Sequence, residues 1–272
     1  MQSVLDLLFN PNKQQRPRRT LIYGKGWSGK TYFGASFPRA VFLPTEDGQR
    51  DVYVGQFGVT EEPRSLPLPA GYDGFKNYIN QFLELPELPF LNLVIDTIDG
   101  LHPWIVDKVR TEHDEKERGY GREFTFIAEE WQKILNALEG LNVARKIGIV
   151  LLCHERVEKI DDPTGSPYDQ TVPMLASSSD KQKGPLDLVC DWCDEVLWAT
   201  TEVFKVEHDA GFGKKTHTGV TGNRILRTTM KATHRAKNRL NMPDEIPLSY
   251  TELAKYYPAA NIAGTVLNGS SK

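Results

Sequence analysis

Cysteine is scarce. Three residues in 272, Cys153, Cys190 and Cys193, are too few for a disulfide scaffold, so a reducing cytoplasm is the natural expectation. Long apolar runs are missing as well. No stretch approaches the roughly 18 residues of a membrane span, and the opening MQSVLDLLFNPNKQQ lacks the basic start and long apolar stretch of a targeting signal. No membrane partner is therefore expected. Nor is there an excess of positive charge: the net charge of −3 gives no global attraction to nucleic acid, so any such role must rest on local patches. What the chain has is length enough for one large α/β core with trimmings.

The strongest signal runs from Arg18 to Phe33, RRTLIYGKGWSGKTYF. The apolar run Leu21, Ile22, Tyr23 reads as a buried strand, and it feeds into Gly24, Lys25, Gly26, Trp27, Ser28, Gly29, Lys30 and Thr31, which satisfy G-x-x-x-x-G-K-[ST] at every fixed position. Gly24 lets the chain leave the strand tightly, and Gly29 leaves backbone N–H groups open to a polyanion. The loop opens onto a helix N-terminus, where free N–H groups and the dipole favour phosphate. Lys30 is predicted to reach the β- and γ-phosphates and Thr31 to bind the accompanying magnesium, with Tyr32 as a further nucleotide-binding candidate. Pro38 limits the helix.

Ala40–Leu43 is the next strand candidate, and it ends in Pro44-Thr45-Glu46-Asp47-Gly48. Open α/β sheets place ligands at such strand ends, so Glu46 is a candidate for orienting or deprotonating the attacking water; an ordinary acidic turn fits the same letters. DVYVGQF, from Asp51, suggests an edge strand. Residues 72–85 have helical spacing. FLNLVIDTID then supplies an apolar strand ending in Asp96, which fits a Walker B element and the second magnesium ligand. Asp99 reads either as a second carboxylate or, more economically, as a helix N-cap. A helix over 101–110, a charged loop to 123 and a helix over 124–141 with Trp131 in the core follow. The strand 147–152 ends in Cys153-His154-Glu155, where His154 suits a γ-phosphate sensor or a histidine tied to local polar groups.

Residues 156–187 show little regular pattern and carry a net charge of −2, which predicts a functional or disordered loop. Cys190 and Cys193 have C-x-x-C spacing without a second close pair, so core packing is preferred over metal. Two strands are predicted over 195–207 and 223–233. Between Lys205 and Arg239 nine cations face two carboxylates, a net of +7, which suits a polynucleotide, a neighbouring subunit's nucleotide or solvent. A short helix at 250–257, packing through Leu253 and Tyr256, precedes a tail predicted to be disordered from about residue 263.

In this order the elements resemble the recombinase-like, RecA-type group of P-loop ATPases, and more closely bacteriophage nucleotide-binding proteins that include single-strand annealing ATPases. The resemblance covers roughly residues 18–245. It is carried by GKGWSGKT, by FLPTEDG at Phe42–Gly48, by LVIDTID at Leu93–Asp99, by LLCHE at Leu151–Glu155 and by Ala236-Lys237-Asn238-Arg239. It implies a RecA-like P-loop NTPase core with a mainly parallel central sheet, ATP and Mg2+ as cofactors, and a catalytic set of Lys30, Glu46, Asp96, His154, Lys237 and Arg239. The last two are implied to reach the γ-phosphate directly or across a subunit boundary. Single-stranded DNA, a homo-oligomer in filament or ring form, phage single-strand-binding or replication proteins, and the host cytoplasm are the implied partners and setting. His154 departs from the glutamine that recombinases usually carry as sensor, and neither expected DNA loop, 111–123 or 156–187, is basic. The implied division is an N-terminal segment 1–17, an ATPase domain 18–245 and a C-terminal helix and tail 246–272.

Overall fold

Leu21, Ile22 and Tyr23 have no exposed surface, because their strand is paired on both sides and covered on both faces. The strand β1 (Arg19–Gly24) runs parallel to β5 (Gly148–Ile160) on one side and to β7 (Glu195–Asp209) on the other. The computed structural model describes residues 16–46, 52, 54–56, 58–162, 164–179, 182–209 and 214–258, with the backbone alone for 204–209 and 214–220. Beyond β5 the sheet continues through β4 (Asn92–Asp96) and β2 (Ala40–Pro44) to β3 (Arg64–Ser65), all parallel. Beyond β7 it ends in two antiparallel strands, β8 (Lys214–Arg227) and β9 (Glu245–Pro247), giving the order β3-β2-β4-β5-β1-β7-β8-β9.

The period-2 alternation of the buried strands divides the core into two layers. Leu21 and Tyr23, Leu93 and Ile95, and Ile149 and Leu151 face α2 (Gly71–Glu84), α3 (Ile98–Glu112), α4 (Arg122–Ala144) and α5 (Pro185–Trp192), which contribute Phe75, Ile105, Trp131 and Val189. Ile22, Val94, Val150 and Leu152 face α1 (Lys30–Ala35) and α6 (Tyr250–Ala254), which contribute Phe33 and Leu253. This is an α/β fold with a largely parallel central sheet flanked by helices. Cys190 and Cys193 belong to the first layer, and burial pushes the Cys190 thiol up to about 12.

The structure departs from the sequence pattern in several places. The 156–187 stretch holds an ordered hairpin, because β5 continues past the sheet to Ile160 and pairs antiparallel with β6 (Tyr168–Pro173). The strand expected over 223–233 ends at Arg227. The chain then turns, with reciprocal backbone bonds between Lys231 and His234. Val54–Gln56 form a turn and bend where an edge strand was expected, and the rest of that segment lies partly outside the described residues. In the C-terminal segment Tyr257 is buried and Tyr256 only partly so. Ile246, Leu253 and Tyr257 share the second core layer with β1, so up to Tyr257 this segment is continuous with the main core. Residues 1–15, Asp47, Gly48 and the tail from 259 lie outside the described residues.

The N-terminal ends of the strands close on an ionic network. Arg19 Nη2 meets Asp194 Oδ1 at 2.9 Å and Arg19 Nη1 meets Glu139 Oε2 at 2.7 Å, while the guanidinium lies 4.9 Å from the Trp192 ring centre. Arg18 pairs with the fully buried Glu195, which also accepts from Thr20 Oγ1 at 3.3 Å.

Candidate functional site

The pairing register puts the opposite, C-terminal strand ends at one edge. Gly24 lies level with His154 of β5 and Ala199 of β7, and Pro44 lies level with Asp96. β5 therefore separates the loop-bearing strand from the Asp96 strand, and all three tips stand at the same edge of the sheet, where open α/β sheets form their ligand crevice.

The loop between β1 and α1 has the conformation its glycines permit. Gly29 sits at φ +94° as the residue before α1, and a Cβ there would lie 2.8 Å from Arg224 Nη1. Gly24 runs so close to β7 that a Cβ would lie 2.3 Å from the Ala199 carbonyl oxygen. Trp27 adopts φ +67° without being glycine and is 98% exposed, so Lys25, Gly26 and Trp27 form a protruding arc. Ser28 turns inward, and among the described residues its buried Oγ has no hydrogen-bond partner. An orphaned hydroxyl inside a loop of this shape fits an incoming phosphate oxygen. Tyr32, half-buried on α1, donates to Gln56 Oε1 at 3.2 Å.

Lys30 is buried and folds back over the loop, donating to the carbonyl oxygens of Gly24 at 3.0 Å and Lys25 at 2.9 Å. Burial lowers its pKa, against the pull of Asp96. Thr31 Oγ1 donates to Asp96 Oδ2 at 2.9 Å, joining the two predicted metal ligands. Burial pushes the Asp96 carboxyl up to about 6; the Thr31 bond and the Lys30 charge work the other way, while Glu46 adds to the rise. Paired hard oxygens at the end of a phosphate loop suit Mg2+, which keeps several waters and takes few protein ligands. Accordingly no cluster of three or more His, Cys, Asp or Glu with cage geometry is needed, and none occurs among the described residues.

Glu46 is exposed at the tip of β2, where Thr45 ties that tip to β4: its N–H donates to the Asp96 carbonyl at 2.8 Å, its Oγ1 donates to the Thr97 carbonyl at 2.6 Å and accepts from Thr97 N–H at 2.9 Å. The Glu46 charge is felt by both Asp96 and His154. His154 stands at the tip of β5. Its backbone N–H donates to Asp99 Oδ1 at 2.9 Å and its Nδ1 lies 2.8 Å from Asp99 Oδ2. Asp99 is thus not the N-cap expected of it. Thr97 caps α3 by accepting from Gly100 N–H at 3.2 Å, which leaves the Asp99 carboxylate to His154. Burial works against that carboxylate, but the bonds from His154 outweigh it and hold its pKa low. The bond to Asp99 in turn raises the His154 pKa.

A match to the family model described as an AAA domain spans residues 16–240, from the lead-in of β1 past the Ala236–Arg239 element. The chain belongs to the AAA-domain family. As an AAA domain of the P-loop class it is of a kind that uses ATP and Mg2+. Among solved structures it is similar to the crystal structure of the RadB recombinase, at 13% identity over 78% of this chain and 80% of that one, with a TM-score of 0.40. No curated protein matches it.

Two predicted residues of this AAA domain stand apart from the crevice. The backbone of Lys237 pairs with Val196, three residues, or about 10 Å of strand rise, below the Ala199 level of the loop. Lys237 Nζ donates to the carbonyls of Cys190 at 3.0 Å, Asp191 at 2.9 Å and Cys193 at 2.6 Å, closing the C-terminus of α5. Arg239 Nη1 lies 3.5 Å from Asp194, in the network at the far end of the sheet. Within one chain, neither cation is grouped with Lys30, Asp96 and Glu46. Asp99, read from the sequence as a second carboxylate or an N-cap, lies three residues past Asp96 and meets His154. Thr45, which the sequence did not single out, ties the tips of β2 and β4 together.

Proposed function

We propose that this chain is a Mg2+-dependent ATPase whose nucleotide lies along the 24–31 loop. The observation that carries the reading is the Thr31–Asp96 bond at 2.9 Å beside the buried Lys30 and the unpartnered Ser28 hydroxyl. Loop N–H groups, Ser28 and Lys30 bind the phosphates, Lys30 exchanging its two carbonyl partners for phosphate oxygens. Thr31 and Asp96 would hold the Mg2+, which would supply neutralising charge to the phosphates. Glu46 takes the proton of the attacking water as the new P–O bond forms on the γ-phosphorus, and the bond to the β–γ bridging oxygen breaks to release ADP. His154 faces the same crevice and reports the γ-phosphate. The test is phosphate release against Mg2+ concentration: Glu46→Gln should cut turnover on the order of 100-fold while leaving ATP affinity nearly unchanged. Equal turnover in that variant would remove Glu46 from the mechanism.

For the effector we propose single-stranded DNA, in phage recombination or annealing. The reading rests on the resemblance and on the end of the α3–α4 loop with the first turn of α4, where Tyr120 and Phe124 are exposed and Arg118 and Arg122 are close in sequence, a combination on which bases can stack. A second reading, an ATP-dependent replication loader or a regulatory nucleotide switch with a protein partner, is favoured by a specific observation. Of the nine cations between 205 and 239, Arg227 pairs with Glu245, Lys231 with Asp244, Arg235 with Asp187 and Arg239 with Asp194, while Lys237 is spent on carbonyls. ATP turnover with and without single-stranded oligonucleotide, read beside the oligomeric mass, separates the two. Stimulation with assembly supports DNA, and no response in either observable supports the protein partner.

A further inference from the structure

His154 stands where β5 changes partners. Up to Leu152 the strand lies between β4 and β1, β1 stays paired through His154, and from Glu155 the strand pairs with β6. At that junction Asp99 holds the residue twice, by its main-chain N–H at 2.9 Å and its ring Nδ1 at 2.8 Å. Asp99 keeps only 11% of its side chain exposed and His154 keeps 31%. With Nδ1 shared with a carboxylate, that nitrogen carries a proton and Nε2 is left for the crevice. Three charged groups besides Asp99 act on the ring: Lys30 from α1, Glu46 from the tip of β2 and Asp96 from the end of β4. The carbonyl of His154 accepts from Met174 N–H at 2.8 Å, so the other side of the residue is fixed too.

We propose that Asp99 is a positioning residue: by holding both the backbone N–H and the Nδ1 of His154, it aims Nε2 at the terminal phosphate of the bound nucleotide. This rests on reading the crevice as an ATP site. Nε2 donates to a phosphate oxygen only while the ring is protonated and is a lone-pair acceptor when it is neutral, and the Asp99 carboxylate extends the protonated form to higher pH. A glutamine at 154 would keep the main-chain N–H bond to Asp99 but would have no ring whose Nε2 that carboxylate could aim.

The experiment compares wild type, Asp99→Asn, His154→Gln and the double variant, measuring kcat, its pH profile and equilibrium binding of a non-hydrolysable ATP analogue with Mg2+. Asp99→Asn should lower kcat about 10- to 100-fold with analogue affinity within about threefold, and should move the imidazole limb of the profile to lower pH. In the His154→Gln background the same change should have no further effect on kcat. A role confined to holding α3 in place would persist in that background and would overturn the proposal, as would an unchanged kcat and profile in Asp99→Asn. If Asp99→Asn does not fold, the 15N signals of the wild-type His154 ring decide: Nε2 must shift differently with the ATP analogue than with ADP, and equal shifts overturn the proposal. Analogue binding and hydrolysis by wild type with either negative result removes this inference alone. No analogue binding at all removes the nucleotide reading and this inference with it.

Discussion

The two ends of the central sheet are built from the same kinds of residue and treat them in opposite ways. At the N-terminal end charges are paired: Arg19 has Asp194 and Glu139, Lys237 caps α5, and Arg18 has Glu195, although burial raises the Glu195 pKa and Arg18 Nε has no partner among the described residues. At the C-terminal end Asp99 and His154 are paired, but the groups around the loop are left in tension. Lys30 is buried with only carbonyls to hold, Asp96 is pushed up to about 6, Ser28 has no partner among the described residues, and Trp27 takes a left-handed backbone angle. Satisfied charges hold a fold together, whereas under-satisfied ones await a ligand.

The largest effect that would break this contrast is at the satisfied end. Asp194→Ala leaves the Arg19 guanidinium buried with only Glu139, and its backbone N–H loses the Asp194 carboxylate at 3.1 Å. Denaturant unfolding should show a loss of about 3–5 kcal/mol, while turnover per folded molecule stays near wild type. A marginal change in stability would mean that the two ends are not so different. Next comes Lys30→Ala, expected to cut ATP turnover about 100- to 1000-fold with little loss of melting temperature, since Lys30 makes no ion pair among the described residues and its burial lowers its pKa. A large loss of stability in that variant would place Lys30 among the structural charges.

The smallest effect sharpens the contrast through its sign. The folded pKa of Asp96, about 6, is above its ordinary value of 3.8, so the folded chain holds this proton more tightly than the unfolded chain. Its ionised form therefore costs stability, fully so above pH 6, and the cost fades as pH falls toward 3.8. In Mg2+-free buffer at pH 7, Asp96→Asn should stabilise the fold by about 1–3 kcal/mol. The gain should shrink as pH is lowered toward 4, and the variant should bind Mg2+-ATP poorly. Destabilisation at pH 7 would mean that Asp96 is held by its neighbours as firmly as Asp194.

What could be read from the letters follows the same division. The loop, β1, β4 and the helices α2 and α4 are local patterns: a fixed spacing, an apolar run buried on both faces, or a 3.6-residue stripe ending in cores such as Phe75 and Trp131. The β5–β6 hairpin was illegible because residues 155–160 have no buried face. Val157 points into solvent and Ile160 is only half-covered, so no alternation marks the strand. Counting charges between Lys205 and Arg239 exposed a basic cluster but not its partners, because Asp187, Asp194, Asp244 and Glu245 reach it only through the fold. The Asp99–His154 bond joins positions 55 residues apart and exists only because β5 inserts beside β4.

One uninterrupted strand, β5, begins buried at the N-terminal edge of the sheet at Gly148 and ends half-covered at Ile160. Position 160 lies six residues, about 20 Å of strand rise, beyond position 154, so the tip of the β5–β6 hairpin stands well away from the phosphate loop while sharing an unbroken strand with His154.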